Sequence, residues 1–247
     1  MSGNSKVLTK DNLSALLKEL AKQYRKLSGK KMPAEIILVG GAAVLARYGF
    51  RDMTTDIDAI IQASSAMRDT AIRVADSFGL PEDWLNSDFL HTDSATGKLL
   101  QFSEYYAISS NIVTIRVVTA EYLIAMKLRA GRRYKSDLSD IIGIMAEHQT
   151  KGAPITYEMV RKAVNDLYGS WDVLPDTSKR FFEQLCKAED PSEMYQKTRS
   201  MEQYAGDKLR TLDRDYPGLV GTDSIQNILD RITKGHTIFE DEATKNP

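Results

Sequence analysis

The sequence predicts an α/β protein: a small mixed sheet flanked by helices over residues 1–151, followed by a helical region over 152–247. Three observations carry this. Apolar runs of strand length recur at 35–39, 56–61, 99–108 and 112–118, the last with clear alternation. Between them, apolar residues return at the three- and four-residue spacing of a helix. Lys151-Gly152-Ala153-Pro154 then breaks the pattern, and the chain beyond it reads as helical and more charged.

In order, the first ten residues are polar, and Asp11 reads as the N-cap of an amphipathic helix running to about residue 27. Gly29 stops that helix. The strand 35–39 ends in Gly40-Gly41, which lets the backbone turn into a short helix, 42–48. A polar connection, 51–55, leads to the strand 56–61. The helix 65–78 turns Met67, Ala71, Val74 and Ala75 inward and ends at Gly79, and 81–88 reads as a helical turn anchored by Trp84 and Leu85. Ser109-Ser110-Asn111 joins the next two strands. Thr119 caps a helix over 120–130, and another follows over 137–148. Beyond the break, helices are predicted at 157–168, 177–187, about 192–214 and 223–234, with 171–175 joining the first two.

Composition narrows the function classes. With 33 basic and 34 acidic residues among 247, there is no global attraction to nucleic acid. A single cysteine, Cys186, makes no intramolecular disulfide and reads as a buried apolar residue; three histidines leave little for a Cys/His zinc site. No apolar run approaches the ~18 residues of a membrane span. The first eleven residues lack a signal-peptide core, so a cytoplasmic protein without a membrane partner is expected.

Chemistry concentrates in two short stretches. Side chains alternate along a strand, so Asp56 and Asp58 share a face and can hold one divalent cation, Mg²⁺ or Mn²⁺. Beside apolar Ile57, Ala59, Ile60 and Ile61, two carboxylates this close repel unless a cation compensates. Gly40 and Gly41 leave N–H groups uncovered at a helix start, where an anion is welcome. They form neither a P-loop nor a dinucleotide fingerprint. A phosphate cradle beside a paired-carboxylate metal site suggests phosphoryl or nucleotidyl transfer. Lys127 lies on a mainly apolar helix, where a free ammonium is costly to bury. Two readings stay open for it: an ion pair with Asp137 or Asp140, Asp137 doubling as an N-cap, or a place with Arg132 near triphosphate oxygens. Asp88, Asp93, Glu104 and Glu121 read as isolated, solvent-facing acids, and Trp84 as a core anchor.

Together, Leu38-Val39-Gly40-Gly41 and Asp56-Ile57-Asp58 resemble the strand, Gly-Gly, helix and Asp-x-Asp pattern of the nucleotidyltransferase superfamily with the polymerase-β-like fold. More narrowly, Arg51-x-x-Thr54-Thr55-Asp56, Leu80-Pro81-x-x-Trp84-Leu85-Asn86 and Tyr122–Arg132 are similar to AbiEii-related bacterial nucleotidyltransferases, some of which are toxins or phage-defence components. The resemblance covers about 35–148. It implies metal-assisted transfer of a nucleoside monophosphate from an NTP to a hydroxyl of RNA, a protein or a small molecule, with an antitoxin as a further partner. It implies Asp56, Asp58 and Lys127 as catalytic residues, and Gly40, Gly41, Arg51, Thr55, Lys127 and Arg132 as nucleotide contacts. Many catalytic relatives carry a third carboxylate on a later strand. The strand 112–118 offers Thr114 and Arg116 instead, with Glu104 on its neighbour as a substitute. Two rival readings follow: a catalytically degenerate binding protein, and an enzyme that modifies a small molecule such as an aminoglycoside.

Overall fold

The computed structural model describes residues 7–216; the predicted helix over 223–234 and the Pro217-Gly218 turn lie outside these residues. The chain begins with β1 (Leu8–Thr9) and α1 (Lys10–Ser28). Thr9, not Asp11, is the N-cap: its side chain accepts from the Asn12 N–H, and the Asn12 side chain accepts from the Thr9 N–H. This reciprocal box satisfies two end donors at once. Next come β2 (Ala34–Leu38), α2 (Gly40–Arg47), β3 (Met53–Thr54) and β4 (Ile57–Gln62). The first ten residues and the 51–55 connection, read as polar chain, thus contribute a two-stranded ladder, β1 against β3, held by the fully buried Leu8.

The helix α3 (Ala66–Phe78) leads to β5 (Leu85–Asn86), where a helical turn was expected. Trp84 is buried and donates its indole N–H to the Ala71 carbonyl at 3.0 Å, so the segment is pinned to α3 while β5 pairs parallel with β4. Residues 99–102 belong to a 3-10 turn, and the strands are β6 (Ser103–Ser109) and β7 (Val113–Val118). The main sheet runs β5-β4-β2-β7-β6. Within it β2 is antiparallel to β4 and parallel to β7, which is the mixed sheet expected.

Helices complete the chain: α4 (Ala120–Ala130), α5 (Asp137–Thr150), α6 (Tyr157–Tyr168), α7 (Asp176–Lys187) and α8 (Pro191–Asp215). Cys186 on α7 is exposed, contrary to its reading as a buried apolar residue, because it lies off the face that buries Phe182 and Leu185. The apolar core continues across residue 151: Val160, Val164, Leu167 and Phe182 belong to the cluster that holds the sheet. Polar ties follow the same path, with the Tyr122 hydroxyl donating to Asp166 at 2.6 Å and the Tyr168 hydroxyl to the Ser94 carbonyl at 2.9 Å. Among the described residues no helix is long and apolar enough to cross a membrane.

α8 returns to the sheet domain. Glu202, 5% exposed, accepts from the Leu138 N–H at 2.7 Å and the Ser139 hydroxyl at 2.5 Å, at the start of α5. A carboxylate from one helix thereby caps the free N–H groups of another. Burial, aided by the charge of Asp137, raises the Glu202 pKa from 4.5 to about 8 despite these donors. A raised carboxyl contributes stability that is complete below its unfolded pKa and is lost as pH rises through the folded one. Glu202→Gln should therefore gain stability on the wild type between 4.5 and about 8, read from denaturation midpoints across pH. A difference constant over that range would contradict this.

Candidate active site

The site forms where β2 ends and β4 begins. The Val39 N–H donates to the Asp58 carbonyl at 3.0 Å, extending the ladder to the edge of the turn. Gly40 has φ +55°, the left-handed region that favours glycine. A Cβ there would stand 3.1 Å from Asp58 Oδ2. A Cβ on Gly41 would meet Thr54 Oγ1 at 2.7 Å and Arg51 Nη2 at 2.9 Å. One glycine therefore admits the carboxylate and the other admits the guanidinium. The N-terminus of α2 has no side-chain cap, so its first-turn N–H groups remain free for an anion.

Asp56, predicted as the first residue of the strand, sits in the bend just before β4, and Asp58 lies on β4 opposite Asn86. Both are half-buried. Thr55, exposed, donates its hydroxyl to Asp56 at 3.2 Å; the Asp58 carboxylate accepts no hydrogen bond among the described residues. Burial, then the charge of Asp56, raises the Asp58 pKa; Lys135 and Arg132 oppose the shift and Asp88 adds to it. A half-buried carboxylate without a donor, crowded by a second one, fits a hard divalent cation. Mg²⁺ in particular is commonly held by one or two carboxylates together with water and substrate phosphate. No group of three or more acidic, histidine or cysteine side chains completes an all-protein metal cluster among the described residues.

The sheet register explains why β7 supplies no third acid. The row that carries Asp58 continues through Val39 to Val118 and Ser103, so an apolar residue occupies the position beside the pair. Glu104 does not substitute. It stands in the row of Val117, Leu38 and Ala59, on the opposite face, and pairs with Arg47 at 2.6 Å.

Beneath the turn runs a line of alternating charges. Arg51 bonds Asp140; Lys127 lies 2.8 Å from Asp140 and 3.1 Å from Asp137; Arg132 reaches Asp137 at 2.8 and 3.3 Å. The Lys127, Asp137 and Asp140 side chains are 7%, 2% and 4% exposed. Both readings of the sequence for the Lys127 partner hold together, since it takes both acids. Lys127 and Arg51, expected at the nucleotide, are members of this brace, with Arg51 against the glycine turn, and Arg132 keeps a third of its side chain exposed. The N-cap of α5 is Ser136, which leaves the Asp137 carboxylate free for Lys127 and Arg132. Burial alone would raise Asp137; the two cations outweigh it and hold the pKa at about 2. Burial likewise works against the Lys127 ammonium, and Asp140 and Asp137 overcome it.

Two further residues bear on the site: Lys135, which the sequence reading does not single out, and Asp88, which it takes as a solvent-facing acid. Lys135, exposed and without an ion pair among the described residues, acts on Asp58 from the 131–136 loop. Asp88 follows β5, its N–H held by Asn86 Oδ1 at 2.8 Å. The one sequence signal for either is proximity to a predicted site element.

Removing one member of a buried charge network leaves its partners uncompensated, which costs about 3–5 kcal/mol. Lys127→Met should lose stability on that scale in chemical denaturation. A loss below about 1 kcal/mol, the scale of a surface pair, would contradict the brace.

No curated protein and no solved structure matches the chain. A family described as "nucleotidyltransferase of unknown function" matches residues 15–151, more than half of the 247 residues, and every side chain of the site falls within that stretch. The chain belongs to this family, DUF6036, and so to the nucleotidyltransferases.

Proposed function

We propose that the chain moves a nucleoside monophosphate from an NTP to a hydroxyl of RNA or protein in the cytoplasm. The observation that carries this is Asp58: a half-buried carboxylate with no donor among the described residues, crowded by Asp56 and facing the glycine turn. Asp56 and Asp58 would hold Mg²⁺ or Mn²⁺, whose chemistry there is to neutralise charge on the triphosphate.

The chain's own residues do the rest. The uncapped N–H groups at Gly40-Gly41 receive phosphate oxygens, and Arg132 and Lys135 offset the charge that builds on the departing pyrophosphate. The acceptor oxygen bonds to the α-phosphorus as the bond to the β-phosphate's bridging oxygen breaks. Pyrophosphate leaves with that electron pair. The acceptor's proton passes to solvent water. Lys127 and Arg51 work through their neighbours, holding Arg132 and the glycine turn in place.

A second reading, a nucleotide-binding member without turnover, is favoured by one observation: Val118, not an acid, holds the β7 position in the row of Asp58. Incubation with each radiolabelled NTP, Mg²⁺ and total RNA or lysate separates the two. Transfer that Asp56→Asn and Asp58→Asn abolish is the expected result. Label transferred unchanged by either variant would sink the site, and nucleotide bound without transfer to any acceptor would favour the second reading.

A further inference from the structure

A cleft between α6 and α7 lies apart from the site described above. Its volume is about 670 Å³, within the roughly 300–1,000 Å³ of small-molecule pockets. Tyr157 and Trp171 line it, their ring centroids 5.3 Å apart, and both rest on the buried Phe182. The Trp171 indole N–H and the exposed Asn165 side-chain amide have no hydrogen-bond partner among the described residues. Two guanidinium groups stand at the rim. Arg180 has no ion pair among the described residues, and the nearest carboxylate oxygen to Arg161 is that of Glu158 at 3.8 Å.

We propose that this cleft binds a nucleotide unit of single-stranded RNA. The base stacks on the Trp171 ring with the inclined Tyr157 ring against its edge, the Asn165 amide meets the base with both a donor and an acceptor, and Arg161 and Arg180 take the phosphate. An acidic peptide fits less well. It would leave the rings and the amide unused, and its repeated carboxylates would face Asp172, Asp176 and Glu183, which also line the cleft. On a nucleotide the same acids can accept from exocyclic amino groups and the 2′-hydroxyl.

The cleft is built onto the candidate active site. A Cβ on Gly131 would lie 2.8 Å from Ser178 Oγ and 3.5 Å from Pro175 Cγ, so α7 seats directly on the residue that opens the Arg132 and Lys135 loop. Arg129 also donates to the carbonyl of Val173, the residue after Asp172 of the cleft lining. That the bound strand is the acceptor rests on the transferase reading; its binding does not require turnover.

The chain has two tryptophans, and Trp84 is 1% exposed, so Trp171 reports on the cleft. The full-length protein, without NTP, is titrated with a mixed-sequence single-stranded RNA, its DNA counterpart, a mononucleotide and an oligoglutamate peptide. The RNA should quench Trp171 emission, and Trp171→Phe should remove the quench while Trp84 still reports a folded core. Arg161→Ala and Arg180→Ala should each weaken binding by about tenfold and lower the salt slope by about 0.7 per lost phosphate contact. No quench by RNA, equal quench by the peptide, or affinity untouched by both arginine variants would overturn the proposal; equal affinity for the mononucleotide would overturn the assignment to a strand. DNA binding as tightly as RNA would overturn the RNA assignment. Quenching without label transfer would leave this proposal standing and count against the transferase reading alone.

Discussion

Three cations and two carboxylates alternate through the interior in the order Arg51, Asp140, Lys127, Asp137 and Arg132, and the placement of the site depends on this line. Each member would be costly to bury alone. Together they tie the loop after α2 to α4, to the 131–136 loop and to α5. One positive charge is left over. Arg51 at one end lies under Gly41, and the charge of Arg132 at the other acts on Asp58. The surplus is thus delivered to the two edges of the glycine turn, where the carboxylates of Asp56 and Asp58 leave a surplus of the opposite sign. The metal and nucleotide binding that we propose needs both.

The C-terminal helices are bound into the same arrangement. α8 caps α5 through Glu202, one residue from Asp137, and Tyr195 and Arg199 bond Phe50 and Asp52 beside Arg51. α7 closes on Gly131 at the head of the Arg132 loop. Helices beyond residue 151 therefore hold both loops that carry the brace. The Glu202 carboxyl reads the cost: burial there outweighs the Leu138 N–H and Ser139 hydroxyl donors.

What the sequence made legible was what short-range pattern encodes. The strand, glycine turn and short helix of β2 and α2 follow from an apolar run meeting two glycines, and Gly79 and Gly131 end their helices in the left-handed conformation as expected. Two-residue strands carry no periodicity, so β1, β3 and β5 were hidden. Thr9 outcompeted Asp11 as a cap because the Asn12 side chain could answer it. Within the site, the Asp56 and Asp58 pair and the Lys127 pairing could be read from spacing. Arg51 with Asp140 and Glu202 with Ser139 could not, being 89 and 63 residues apart. Lys135 and Asp88 resemble any surface charge until the fold brings them near Asp58.

The central claim is that the opposed charge surpluses make one metal and triphosphate site at the glycine turn. Crystals grown with Mn²⁺ and a non-hydrolysable NTP test it most directly through anomalous scattering. The account predicts an anomalous peak between the Asp56 and Asp58 carboxylates, with triphosphate density running from Gly40-Gly41 toward Arg132 and Lys135. A manganese peak elsewhere, or nucleotide bound away from the turn, would contradict it.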